Sequence, residues 1–144
     1  DGSYSQKLQD LVQKNAYKNI IFWGRKPRDE MYQYFAGSDF LIVSLINEPI
    51  FSLTVPAKIP TYIAANRPIL AVINGDAADI IKDNNLGFCV KPDNSDEITK
   101  TIIQCLNTDK KILAEFSKNC EHLTDSVFNK EIIMTELLDL LITR

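Results

Sequence analysis

Two runs in this chain, Phe40–Val43 and Ile69–Ile73, are apolar at every position. A strand with one wet face alternates apolar and polar residues, whereas a parallel strand covered by helices on both faces does not, so both runs read as buried parallel strands. Asn19–Trp23, ended by Gly24, and Phe88–Val90, opened by Gly87 and closed by Pro92, are two more short apolar runs. The segments between them have helical spacing. Ser3 is placed to cap a helix with Leu8, Leu11 and Val12 on one face, and Pro27, Asp29 and Glu30 suit the first turn of a helix through MYQYF that stops near Gly37. Asp76–Asn85 turns Ile80 and Ile81 inward, and Ser95 caps a helix with Ile98, Ile102 and Ile103 on one face. Four strands, each followed by a helix, predict an α/β fold: a parallel sheet with helices on both faces. Helices near Lys110–His122 and Asn129–Ile142 follow. A compact domain of this kind carries a first strand and helix before this point, so the expectation is a fragment that lacks them.

At 144 residues the chain reads as one domain, 1–144, long enough for a core. Its 45% hydrophobic and 24% charged residues are those of a globular protein, and a net charge of −3 with no basic run argues against a nucleic-acid partner. The longest apolar stretches, such as FLIVSLI, are far short of a membrane span, and the first residues lack the pattern of a signal peptide, so the reading is cytosolic. Cys89, Cys105 and Cys120 have no CxxC spacing and only His122 for company, which makes buried thiols the better account than a disulfide framework or a zinc site.

The stretch Phe51–Pro68, FSLTVPAKIPTYIAANRP, is where function is expected. Leu45–Val55 is a long loop after a strand, and its apolar content argues against disorder. Pro60 is tolerated only in a first helical turn, so the helix begins near Ala57 or Lys58 and runs to Asn66. The amides of Ala57, Lys58 and Ile59 then lack intrahelical partners at the positive end of the helix dipole, with a lysine among them, at the carboxyl edge of a sheet. That is an anion site. An ordinary helix start with a solvated lysine is the plainer alternative.

With five glycines the chain has no GxGxxG, P-loop or GxSxG. His122, alone on a late helix, receives no catalytic role, and Asp76 and Asp79 are accounted for by helix capping. Arg25 and Lys26 follow Gly24 at a neighbouring strand end and could face the same crevice as Lys58, although as isolated residues they are more often solvated.

The run PAKIPTYIAANRPILAVINGDAADIIKDNNLGFCVKPDNSDEITKTI resembles the donor-binding half of GT-B glycosyltransferases, especially glycosyltransferase family 4, whose pattern there is P-x-K-x-x-E-Y-x-A-x-G-[KR]-P. Pro56, Lys58, Tyr62, Ala64, Arg67, Pro68, Gly75, Ile80, Ile81, Gly87 and Pro92 match in order. Upstream, NIIFWGRKPRDEMYQYFAGSDFLIVSL is similar to the family's strand, F-x-G, helix, S-D and strand, and Asp1-Gly2-Ser3 to the tail of its G-x-G-P segment. FSLTVPAK is similar to bacterial transferases of O-antigen and capsule synthesis, among them those handling acetamido-deoxy sugars such as N-acetylfucosamine.

The resemblance implies a Rossmann-like C-terminal domain that binds a nucleotide-sugar, with UDP-sugars first among donors. Lys58 matches the lysine that binds the donor diphosphate and stabilises the leaving group, and Ser52, Leu53, Thr54, Val55 and Ala57 fall in the loop whose amides contact diphosphate and sugar. Gly24 and Arg25 match the turn against which the base lies. Thr61 and Leu53 stand where members with an E-x7-E pair carry glutamates, which leaves ribose binding unassigned, Glu48 being a weak candidate. Asn66 replaces a glycine and Asp76 a glutamate, changes that an αL position and a helix start tolerate. No metal or other cofactor is expected, because Lys58 and the amides supply the charge stabilisation. The acceptor, a glycan or a lipid-linked molecule, and the general base would belong to an N-terminal domain, and the work would be done in the cytoplasm at the face of the inner membrane. A GT-B nucleotide-sugar 2-epimerase or hydrolase and a non-catalytic α/β docking subunit are the alternatives. A receiver-like domain is disfavoured, since Ser44-Leu45-Ile46-Asn47 offers no aspartate just after the strand.

Overall fold

The computed structural model describes residues 2–142. The chain divides into two compact units, Asp1–Tyr34 and Phe35–Arg144. The elements in order are α1 (Ser5–Lys14), a 3-10 turn (Arg28–Glu30), α2 (Met31–Ala36), β1 (Leu41–Ser44), α3 (Pro49–Ser52), α4 (Lys58–Ala64), β2 (Ile69–Val72), α5 (Asp76–Asp83), β3 (Gly87–Val90), α6 (Ser95–Leu106), α7 (Lys110–Asp125) and α8 (Lys130–Ile142). The result is an α/β Rossmann-like arrangement, in which three parallel strands in the order β1-β2-β3 are surrounded by helices.

The register sets Leu41 beside Ile69 and Ile69 beside Gly87, so Leu41, Val43, Ile69 and Ala71 share one sheet face. That face carries the core. Ile59 and Ile63 of α4, Ala77 and Ile81 of α5, and Cys120 and Leu123 of α7 close over it. The opposite face, with Ile42, Leu70 and Phe88 in register, is covered by α6 towards β2 and β3. Ile42 remains 55% exposed there, beside a cavity of about 630 Å³ that Leu70, Ile102, Cys105 and Leu106 also line. The expectation of a strand buried on both faces therefore holds for β2 and fails for β1, whose burial alternates and leaves Ile42 and Ser44 exposed.

Asn19–Trp23 forms no strand, and Ile20 to Trp23 are exposed. An isolated strand leaves its backbone donors and acceptors unmet, and among the described residues the sheet order offers this run no neighbour. The first unit holds α1, the 3-10 turn and the first residues of α2, and within it Trp23 and Tyr34 lie 5.7 Å apart, with Lys26 Nζ 5.8 Å and 5.7 Å from their ring centres. Ser3 does not cap α1, whose first flanking residue is Tyr4 and has no capping side chain, and Leu8 and Leu11 stay exposed. Asp1 lies outside the described residues.

Asn94, not Ser95, caps α6: its Oδ1 accepts from the amides of Asp96 and Glu97 at 3.1 Å. Ser95 is already the first helical residue, and an asparagine one position earlier has the extended backbone a cap requires. Asp109 serves α7 in the same way. Asn66, at φ +52, adopts the left-handed conformation that ends α4. Cys120 is buried, Cys89 and Cys105 are half-buried, and all three are free. The final helix, α8, buries none of its side chains and carries apolar residues on every side.

Candidate functional site at the carboxyl rim of the sheet

α4 starts at Lys58, with Ala57 as its cap residue, and Pro60 lies in the first turn, where its missing N–H costs no intrahelical bond. Ile59, Tyr62 and Ile63 are the buried residues of α4, and this leaves Lys58 and Thr61, one turn apart, on the exposed side. The Tyr62 hydroxyl donates to the Ile42 carbonyl at 3.2 Å, pinning α4 to β1, and burial raises its pKa, so it stays a donor. The helix has seven residues, and the Ile59 amide donates to the Pro56 carbonyl at 2.9 Å. That amide is therefore not open to an anion as expected, because the entry to α4 is a tight turn. Thr61 Oγ1 donates back to the Ala57 carbonyl at 2.8 Å.

The loop from β1 to α4 holds a single turn of helix, α3, begun by Pro49 at its first position. Within it Ser52 Oγ donates to the Pro49 carbonyl at 2.7 Å, and Thr54 Oγ1 to the Phe51 carbonyl at 3.3 Å. The Thr54 amide also points to Phe51, at 3.5 Å. Leu53, Thr54, Val55 and Ala57 are exposed and Ser52 is half-buried. Glu48 is the exposed residue before α3 and its side chain caps nothing. Gly24, at φ +68, and Arg25 belong to the first unit.

Three polar side chains that sequence reasoning missed join the strand ends. Asn47, after β1, donates its amide to Asp93 Oδ2, after β3, and its Oδ1 accepts from Asn74 Nδ2, after β2, at 2.9 Å. Asn74-Gly75 and Pro92-Asp93 are visible in sequence as turn dipeptides, but pairing across 27 and 46 residues leaves no local signal. Asp76 and Asp79 lie in the first turn of α5, and His122 is exposed in the last turn of α7, as expected. No three His, Cys, Asp or Glu side chains gather at one point among the described residues, and no helix among them is long and apolar enough to cross a membrane.

A lysine heading a helix behind a structured loop, at the carboxyl end of a parallel sheet, is an arrangement suited to holding an anion. The family model described as Glycosyl transferases group 1 matches residues 1–108. The chain belongs to the group 1 glycosyl transferases. It is also similar to an uncharacterized glycosyltransferase of Methanocaldococcus jannaschii, with 26% identity over 120 residues that make up 82% of this chain and 33% of the relative. This group 1 glycosyl transferase chain thus spans about a third of the length of the curated relative it matches. The matched stretch ends just after α6 and includes Lys58, the β1–α4 loop and all three strands.

Proposed function

We propose that the chain is the nucleotide-sugar-binding part of a glycosyltransferase of the GT-B, family 4 type, moving a sugar from a nucleoside-diphosphate donor, with UDP-sugars first in line, to a glycan or lipid-linked acceptor. The observation that carries this reading is the position of Lys58: the lysine of the P-x-K-x-x-E-Y pattern is the first residue of α4 and is turned outward by its buried neighbours Ile59, Tyr62 and Ile63.

In this reading Lys58 neutralises charge on the departing diphosphate, an electrostatic role stronger in the transition state than in the ground state. With the Ile59 amide engaged at Pro56, the lysine charge carries more of the stabilisation than the helix amides do. Ser52 to Ala57 lie along diphosphate and sugar, and Thr61 shares the exposed side of α4 with Lys58; Gly24 and Arg25 are given to the base by the resemblance alone. The acceptor site and general base come from a further domain of the whole enzyme, which works in the cytoplasm at the inner membrane on polysaccharide of the O-antigen or capsule kind in a bacterium.

Calorimetric titration of the chain with UDP, GDP and ADP tests this. UDP should bind most tightly. A folded chain that binds none of the three would remove the reading in favour of a docking subunit.

A further inference from the structure

We propose that Asn47 is a positioning residue of the diphosphate site: its carboxamide clasps the β1–α4 loop to the two neighbouring strand-end loops and thereby sets where Lys58 stands. For its ligand this rests on the function proposed above, while the clasp itself can be tested without one.

The loop has little else to hold it in place. α3 is a single turn, too short to be stable alone, and Leu53, Thr54 and Val55 are exposed. Along its course two attachments tie it to the neighbouring strand-end loops, besides a backbone bond at its entry. The Ser52 backbone lies against Gly75, where an added Cβ would meet the Ser52 carbonyl oxygen at 2.0 Å. Five residues earlier, the Asn47 amide is engaged at both ends, donating to the Asp93 carboxylate and accepting from Asn74. An amide held at both ends has its orientation decided by its partners, and the carboxylate makes the first of these bonds charge-assisted. Asp93 and Asn74 follow β3 and β2, so one side chain ties the loop to both other strand ends. Leu45 adds a backbone bond to the Val72 carbonyl at 3.1 Å just before the clasp, which fixes the loop's entry but not its course. None of these bonds involves Lys58. Asn47 acts through the loop, on a residue it does not touch.

The chemistry of the pair supplies a specific test. Asn47→Asp removes the donor and sets a carboxylate against Asp93. Asn47→Asp combined with Asp93→Asn restores the set in mirror form: the new carboxylate at position 47 accepts from the new carboxamide at position 93 and from Asn74. Hydrogen exchange of the amides in residues 45–57 and UDP titration are measured on the whole chain. In Asn47→Asp, exchange should rise and affinity fall by about three- to tenfold, the scale of one or two exposed hydrogen bonds. The double variant should return to within about twofold of the wild type. Asn47→Ala, which loses the bonds without apposing charges, serves if Asn47→Asp does not fold. Wild-type exchange in both single variants, or a double variant as open as Asn47→Asp, would overturn the clasp. A wild type that binds no nucleotide would remove the transferase reading, and the exchange data would still decide the clasp. Loop opening with unchanged UDP affinity would overturn its role in positioning Lys58.

Discussion

A Cβ on Gly75 would lie 2.0 Å from the carbonyl oxygen of Ser52, so the residue just before α5 is also the surface on which the end of α3 rests. Gly75 has φ +75 as well, and an alanine there meets both a backbone conformation it avoids and an atom it cannot displace cheaply. Gly75→Ala should cost about 1–3 kcal/mol in urea denaturation and weaken nucleoside-diphosphate binding. A loss below about 0.5 kcal/mol, the range of an ordinary surface substitution, would mean that the loop yields without resistance.

Lys58→Ala should weaken UDP binding by about one to two decades, the loss of a charge-assisted hydrogen bond to an anion. The unliganded fold should hold its melting temperature, because Lys58 is exposed and removing it opens no cavity. Arg25→Ala is the control: the resemblance gives Arg25 to the base and not to the phosphates, so its loss should alter discrimination between UDP and GDP more than affinity for the diphosphate. Equal UDP affinity in wild type and Lys58→Ala, both folded by circular dichroism, would return Lys58 to the status of a solvated lysine.

Chelation is expected to leave binding intact. With Lys58 proposed at the diphosphate and no DxD pair in the sequence, UDP affinity should be the same with and without EDTA. A loss of tenfold or more, about 1.4 kcal/mol, would require a cation at the phosphates.

The open side of β1 should make the chain self-associate. Ile42 is 55% exposed beside a cavity of about 630 Å³ lined by Leu70, Ile102 and Leu106, and apolar surface of this kind is normally covered. Sedimentation should show dimers or larger species that Ile42→Thr weakens, with a threonine chosen because it keeps strand propensity. A monomeric and highly stable wild type would show that this face needs no cover.

Burial pushes the Cys120 thiol up to about 11 from an ordinary value of 9.0, and its Sγ lies 3.5 Å from the Arg67 carbonyl. The unfolded chain releases this proton at lower pH than the folded one, so the contribution to stability is complete below pH 9 and is lost as pH rises towards about 11. Urea midpoints measured across that window should fall more steeply for the wild type than for Cys120→Ala. Parallel slopes would show that the thiol does not titrate with folding. At neutral pH the thiol should resist a disulfide reagent until the chain unfolds.

The parts legible in sequence were those written in local chemistry. Pro60 located the start of α4, Asn66 its left-handed end, and the unbroken apolar runs Phe40–Val43 and Ile69–Ile73 fall on the parallel strands β1 and β2. Asn19–Trp23 has a strand's composition and no partner among the described residues, and composition cannot supply one. The cap of α6 was misread by one position because Asn94 and Ser95 are equally good cap residues and only backbone angles choose between them. At the rim, the place of Lys58 at the head of α4 was readable from local sequence, whereas Asn47, Asn74 and Asp93 meet only once the sheet has brought three distant turns together.

The exposed apolar residues of α8 surround its axis, from Ile132, Ile133 and Met134 to Leu140, Leu141 and Ile142. A helix with one apolar stripe dictates the rotation at which it docks. α8 has no such preference and can roll in a receiving groove with little change in buried area. A surface that covered α8 would therefore have to fix the rotation itself, because the helix does not.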